Sequence, residues 1–165
     1  MKQLLLAGAA VLGFTASGSV ANAVPIDFTY TGSLVDFTVP ITGTYQILAF
    51  GAQGGNAIGS NVVGMGGSGA EIGGTFTLTA SEVLQIAVGG AGGSQTGGGG
   101  GGGGGSFVVG PGNMPLVIAG GGGGGASFTV GDAFPGQGGL TGPDGGGAFA
   151  GGAPEAMAGL VAVLD

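Results

Sequence analysis

Glu71 and Glu82 are the side chains whose types could do chemistry together, because a pair of carboxylates can serve a glycoside hydrolase as acid and as base or nucleophile. A sugar cleft also wants aromatic platforms, and the chain has no Trp and only Tyr30 and Tyr45. Glu82, beside Ser81 in a turn signal, reads as an exposed edge charge, and the scattered acids as groups that keep strands soluble and discourage edge-to-edge pairing. Gly64-x-Gly66-x-x-Gly69 fits a dinucleotide fingerprint and follows Asn61-Val62-Val63, which could be a strand. That fingerprint must open a helix, yet Gly73-Gly74 and an alternating strand at Thr75 come next, so no nucleotide site is expected. Residues 138–144 (GGLTGPD) loosely resemble a calcium nonapeptide, with Asp132 and Asp144 as candidate ligands. Calcium needs six or more oxygens, and both acids read as solvated turn residues. No catalytic, cofactor-binding or metal-binding residue is therefore assigned.

Composition narrows the chemistry further. The chain has no Cys, no His, eight acidic residues and one basic residue, Lys2. Without His, Cys or a mature Lys there is no usual general base, thiolate, imidazole ligand or Schiff-base amine, which argues against an enzyme and against a cofactor. A net charge of −7 opposes nucleic acid and anionic lipid as partners. With no disulfide to staple it, the fold must rest on apolar burial and backbone hydrogen bonds.

The elements that would position any site begin after an export signal. Met1 and Lys2 form a positive start, residues 4–14 (LLLAGAAVLGF) an apolar stretch, and Ala21-Asn22-Ala23 a small-x-small site with cleavage between Ala23 and Val24. An anchor helix would need about 20 apolar residues, and Thr15 to Ser19 is already polar and Gly-rich. The expectation is a signal peptide over 1–23, no membrane-spanning segment in the mature chain, and a secreted or cell-surface location.

From Pro25 to Val88 apolar residues alternate with small polar ones at period two, the pattern of half-buried strands. Ile26, Phe28 and Tyr30 alternate with Asp27 and Thr29, and Phe37 and Val39 with Asp36 and Thr38. Residues 75–79 (TFTLT) and the set Leu84, Ile86 and Val88 alternate in the same way, while 44–50 (TYQILAF) is apolar on both sides, as in an interior strand. Turn signals separate them at 31–33, 40–43, 54–69 and 79–82. No window shows helical periodicity, so an all-β domain is expected.

Beyond Val88, nine glycines run from Gly97 to Gly105 and six from Gly120 to Gly125, interrupted by 106–109 (SFVV) and 115–119 (PLVIA). Two readings stand on the residues alone. Polyglycine can be a flexible linker, since fixing each residue costs about 1–2 kcal/mol. Alternatively, threefold helices of the polyproline II type, rising about 3.1 Å per residue, can pack side by side and pair their backbone groups with neighbours.

The ordered series 37–55 (FTVPITGTYQILAFGAQGG), 69–89 (GAEIGGTFTLTASEVLQIAVG), glycines, SFVV and PLVIAGGGGGG resembles the extracellular glycine-rich module of the anaplastic lymphoma and leukocyte receptor tyrosine kinases, which also occurs in bacterial secreted proteins. The resemblance covers residues 24–147. It implies a jelly-roll or tumour-necrosis-factor-like β-sandwich with inserted polyglycine II helices. It carries neither the kinase activity nor any individual contact residue to this chain. Residues 148–165 (AFAGGAPEAMAGLVAVLD) depart from the pattern as an alanine-rich tail. An early stop or a frameshift would explain the break, and a short closing strand at 160–164 is the alternative.

The functional expectation is a secreted or cell-surface structural or adhesive protein without catalytic activity. The alternative is a receptor-like or adhesin-like module that recognises an extracellular protein or glycan. Self-association is a further expected partnership, with no nucleic acid and no nucleotide. Ice binding would want a flat Thr or Ala face, which the sequence does not offer.

Overall fold

The computed structural model describes residues 25–127 and 132–140, together with the backbone of 10–15. Its strands are Ala10–Thr15 (β1), Ile26–Asp27 (β2), Val35–Thr38 (β3), Gly43–Phe50 (β4), Ala57–Ile58 (β5), Val63–Gly64 (β6) and Glu71–Leu78 (β7). They continue with Val83–Ala87 (β8), Gln95–Thr96 (β9), Gly98–Gly99 (β10), Ser106–Gly110 (β11), Met114–Ala119 (β12), Ala126–Ser127 (β13) and Ala133–Phe134 (β14). A single 3-10 turn at Pro111–Asn113 is the one helical element among the described residues, as the missing 3.6-residue period leads one to expect.

Two four-stranded antiparallel sheets, ordered β2-β1-β4-β7 and β12-β11-β8-β3, share one apolar core, the arrangement of a β-sandwich. Alternation decides which side chains enter it. Tyr45, Ile47 and Ala49 of β4 face Leu84 and Ile86 of β8, Val108 of β11, and Val117 and Ala119 of β12, all buried. Phe28 stacks edge-to-face on Phe37 with ring centroids 5.8 Å apart, closing the core beside β3. The buried Tyr45 hydroxyl donates to the Ile41 carbonyl at 2.7 Å, so a polar atom enters the core region with a partner.

The strand expectations hold over 44–50, 75–78 and 84–87, and the apolar segments 106–109 and 115–119, read only as interruptions of the glycine runs, form strands as well. Elsewhere they shorten: the alternation from Ile26 to Tyr30 yields only the two residues of β2, because Phe28 packs on the core while Thr29 and Tyr30 turn out to solvent. Residues 54–69, expected as a turn, instead form the two arms of a hairpin with β5 and β6 at its tip. The apolar stretch expected to be a leader contributes β1, which lies between β2 and β4 and pairs with both. The Ala23–Val24 cleavage site and the tail 148–165 lie outside the described residues.

The glycine-rich segments leave one end of the sandwich side by side, and their hydrogen bonds recur every third residue. Ala52 and Gly55 donate N–H to Gly104 and Gly101, and Gly101 and Gly104 in turn donate to Gly93 and Gly90. Gly100 and Gly103 donate to Gly125 and Gly122; Gly122 and Gly125 donate to Ala52 and Gly55; Gly67 and Ala70 donate to Gly123 and Gly120. Gly51 and Gly54 donate to Ala70 and Gly67, Gly92 to Gln53, Gly123 to Gln137, and Gly136 and Gly139 to Met65 and Ser68. These bonds arrange the segments as two rows of three. Segments 89–93, 51–56 and 65–70 form one row, and 100–105, 120–125 and 136–139 the other, with 51–56 touching both 100–105 and 120–125.

Such packing admits only hydrogen on the inward Cα positions. A Cβ on Gly54 would stand 2.0 Å from the Gly123 oxygen, one on Gly55 2.1 Å from the Gly93 oxygen, and one on Gly122 1.9 Å from the Gly67 oxygen. In the segments 51–56, 100–105 and 120–125 about two of every three backbone N–H groups thereby reach a carbonyl on a neighbouring segment without a sheet ladder.

Candidate functional site

Two surfaces follow from this architecture. The first is the far end of the glycine segments, where successive segments are joined through short strands that pair in two small three-stranded sheets. Residues 51–56 pass through β5 and β6 to 65–70; 89–93 pass through β9 and β10 to 100–105; and 120–125 lead into β13, with β14 leading into 136–139. Gly59 N–H donates to the Val62 carbonyl and closes the first turn, and Gly97 and Gly98 take φ of 73° and 107° in the second, a region that glycine enters without a Cβ penalty. Asn56 braces the base of this end: its Oδ1 accepts from Gly66 N–H at 2.8 Å, and its N–H donates to Ser94 Oγ. Exposed there are Ile58, Val63, Met65 and Phe134, apolar side chains on a backbone held by hydrogen bonds.

The second surface is a cleft of about 670 Å³ where the sandwich meets the glycine segments, lined among others by Thr29, Tyr30, Phe50, Gln53 and Ser68. Tyr30, 61% exposed, lays its ring against the bare Cα of Gly90; a Cβ there would meet ring carbons at 2.8 Å. Its polar groups are hydroxyls and an amide, and no lining residue is charged. The cleft can hydrogen-bond a neutral polar ligand and stack on a flat face, but holds no group able to draw in an ion.

Beneath the cleft, Ser106 ties the two halves together. Fully buried, its Oγ donates to the Phe50 carbonyl at 2.6 Å and accepts from Gly89 N–H at 3.0 Å, joining the ends of β4, β8 and β11. Replacement by Ala orphans a buried N–H and carbonyl together, so Ser106→Ala is expected to lower unfolding free energy by about 1–3 kcal/mol, read as an earlier denaturant midpoint with unchanged slope.

The structure separates the residues that tempt in sequence. Glu71 starts β7 and Glu82 follows its other end, about 24 Å along the strand, far beyond the 5–9.5 Å of a glycosidase pair. Glu82 Oε2 instead accepts from Thr79 N–H at 3.0 Å and caps the turn before β8, which Ser81 completes with a φ of 74°. Gly64, Gly66 and Gly69 lie in β6 and the segment leading into β7; a Cβ on Gly66 would meet the Gly54 oxygen at 2.0 Å, so neighbouring backbone fills the space a pyrophosphate would need. Asp132 is exposed, Asp144 lies outside the described residues, and no three acidic side chains gather among those described. Sequence reasoning missed Ser106, Asn56, Gln53 and Ser68. The available signal was position for three of them: Gln53, Asn56 and Ser106 are polar residues at a junction between an apolar run and a glycine run, whereas Ser68 lies between Gly67 and Gly69.

No protein-family model matches the sequence, and no curated protein is significantly similar to it.

Proposed function

We propose that the chain is an exported, non-catalytic structural or adhesive protein whose leader is removed after Ala23, and whose glycine segments form a rigid stalk that presents loops at the cell surface or in an extracellular matrix. The observation that carries this reading is the three-residue period of hydrogen bonds among six parallel and antiparallel glycine-rich segments. A helix with three residues per turn returns the same backbone group to the same neighbour every third position, which supports reading the segments as polyglycine II helices. The reading adopts the jelly-roll architecture that the resemblance to the receptor glycine-rich modules implies, and the insertion of glycine segments between successive strands supports it. An apolar tip of Ile58, Val63, Met65 and Phe134 suits attachment to a surface or to another copy.

A second reading, a receptor-like or adhesin-like binding module, is favoured by the cleft around Tyr30, whose uncharged lining suits a saccharide or a neutral peptide. Two sets of variants discriminate. Met65→Ser with Phe134→Ser should weaken retention of the exported protein in the washed cell-surface or insoluble matrix fraction at least tenfold if the tip attaches it. Tyr30→Ala should leave retention unchanged and abolish binding to an immobilised neutral polysaccharide panel if the cleft is a ligand site. Retention indifferent to both sets would remove the adhesive reading.

A further inference from the structure

The cleft beside Tyr30 is walled in large part by backbone. Segment 51–56 sends its N–H groups in three directions: Gly51 and Gly54 to the Ala70 and Gly67 carbonyls, Ala52 and Gly55 to those of Gly104 and Gly101, and Asn56 to Ser94 Oγ. Gln53, three residues before Asn56, has an N–H with no described oxygen within hydrogen-bond distance, and the same holds for the N–H of Ser68, Gly69 and Ala91 on the two flanking segments. All of these residues line the cleft, and Gln53, Ser68 and Ala91 are exposed. Water satisfies such donors in the open cleft, so a ligand that displaces the water must bring an acceptor to each.

The protein itself shows what such a wall accepts. On the inner side of 51–56 and 65–70 lies the bare glycine segment 120–125, which donates from Gly122 and Gly125 to the Ala52 and Gly55 carbonyls and accepts at Gly120 and Gly123 from Ala70 and Gly67. One backbone is seated on two others by N–H and C=O groups alone. The cleft opens the outer side of the same two segments, with 89–93 as a third wall and the Tyr30 ring beside them.

We propose that the cleft binds an extended, uncharged segment of another protein, rich in proline and glycine, laid along 51–56 on its open side. The inference rests on the second reading above, in which the cleft is a ligand site, and narrows its ligand to one class. A proline carbonyl accepts a hydrogen bond without bringing an N–H that needs a partner of its own, and glycine permits the close backbone approach that 120–125 makes on the inner side. Proline also holds the segment extended before it binds, which lowers the ordering cost, and its ring packs on an aromatic face such as that of Tyr30, 61% exposed. A charged segment is disfavoured because no lining residue is charged and its ion would lose water without gaining a partner. A saccharide is disfavoured because it wants several aromatic platforms, and Tyr30 is the exposed ring of the cleft while Phe50 is half-buried.

The test titrates the isotope-labelled, purified chain with a capped peptide of three Pro-Gly-Gly repeats, beside a neutral glucose oligosaccharide, and follows the amide chemical shifts. The expected result is saturable peptide binding in which the amide protons of Gln53, Ser68, Gly69 and Ala91 move downfield, as newly hydrogen-bonded N–H groups do, while those of β7 stay in place. Tyr30→Ala is expected to weaken the peptide about tenfold. Ala91→Pro deletes an N–H that the fold leaves unpaired, so it is expected to weaken the peptide about two- to tenfold with little change in the unfolding midpoint. Peptide binding untouched by Tyr30→Ala, or binding that leaves those amides in place, would overturn the proposal. Shifts produced by the oligosaccharide alone and lost in Tyr30→Ala would overturn it and leave the cleft a ligand site. Amides that respond to neither ligand would overturn both the proposal and the reading on which it rests.

Discussion

Alanine at Gly122 is expected to disrupt the glycine segments, whereas alanine at Gly102 leaves them intact. Gly122 sits in the segment 120–125, donates to the Ala52 carbonyl and accepts from Gly103 N–H, and a Cβ there would stand 1.9 Å from the Gly67 oxygen and 2.5 Å from its carbon. The obstacle is backbone, already bonded on its other side through Gly54 N–H, so it cannot rotate away as a side chain would. Moving one segment strains its neighbours in both rows, and the expected cost is about 3 kcal/mol or more. Gly102, in the adjoining segment, has only the Gly122 oxygen within reach, at 3.7 Å, an ordinary contact. There Ala is expected to be neutral or to stabilise by up to about 1 kcal/mol, because it narrows the unfolded ensemble. Thermal or denaturant unfolding of the two variants measures the contrast. Equal, small effects would mean that the segments are not packed on one another.

Leu84→Ala is expected to loosen the glycine segments although it touches none of them. Leu84 is fully buried between the sheets, and truncation there costs about 2–5 kcal/mol. For a domain of this size a loss of 3 kcal/mol lowers Tm by about 6–12 °C. Polyglycine has no side chains to bury, and each ordered residue costs about 1–2 kcal/mol in entropy, so the segments depend on the strands that fix their ends. β4, β8 and β12 run into glycine segments and β11 starts from one, and Ser106 bonds across three of those junctions. Both halves should therefore unfold together, with amide exchange in 120–125 accelerated about a hundredfold alongside the strands. Strand exchange that rises while the glycine amides stay protected would show two independent units.

The sandwich was legible where side chains report the backbone. Alternation in 75–79 and in 84–88 follows from one face being buried, and Tyr45, Ile47 and Ala49 show the same rule in β4. The arms of the hairpin within 54–69 were illegible for the opposite reason. Glycine carries no side chain to alternate, so the three-residue period exists only in which carbonyl each N–H reaches, and a turn and a packed arm read alike. Ser106 was hidden by its company: one hydroxyl opening an apolar run looks like a strand residue until Phe50 and Gly89 are seen on either side of it. The cleft was not legible: in sequence Tyr30 counts only as one of too few aromatic residues for a sugar cleft, and its support on Gly90 joins residues sixty positions apart. The stretch 4–14 reads as the apolar part of an export signal, beside a positive start and a small-x-small site, and that same apolar character lets 10–15 form a strand when a sheet offers an open side.

The central claim is that the glycine segments are an ordered, hydrogen-bonded bundle, and amide hydrogen exchange on the purified chain tests it most directly. The comparison is between the amides of 100–105 and 120–125 and those of 75–78 in β7. The structure predicts protection in the glycine runs close to that of the strand, with every third amide drawing on the same neighbouring segment. Fast exchange throughout the glycine runs beside a protected β7 would contradict it, leaving a β-sandwich with flexible glycine loops.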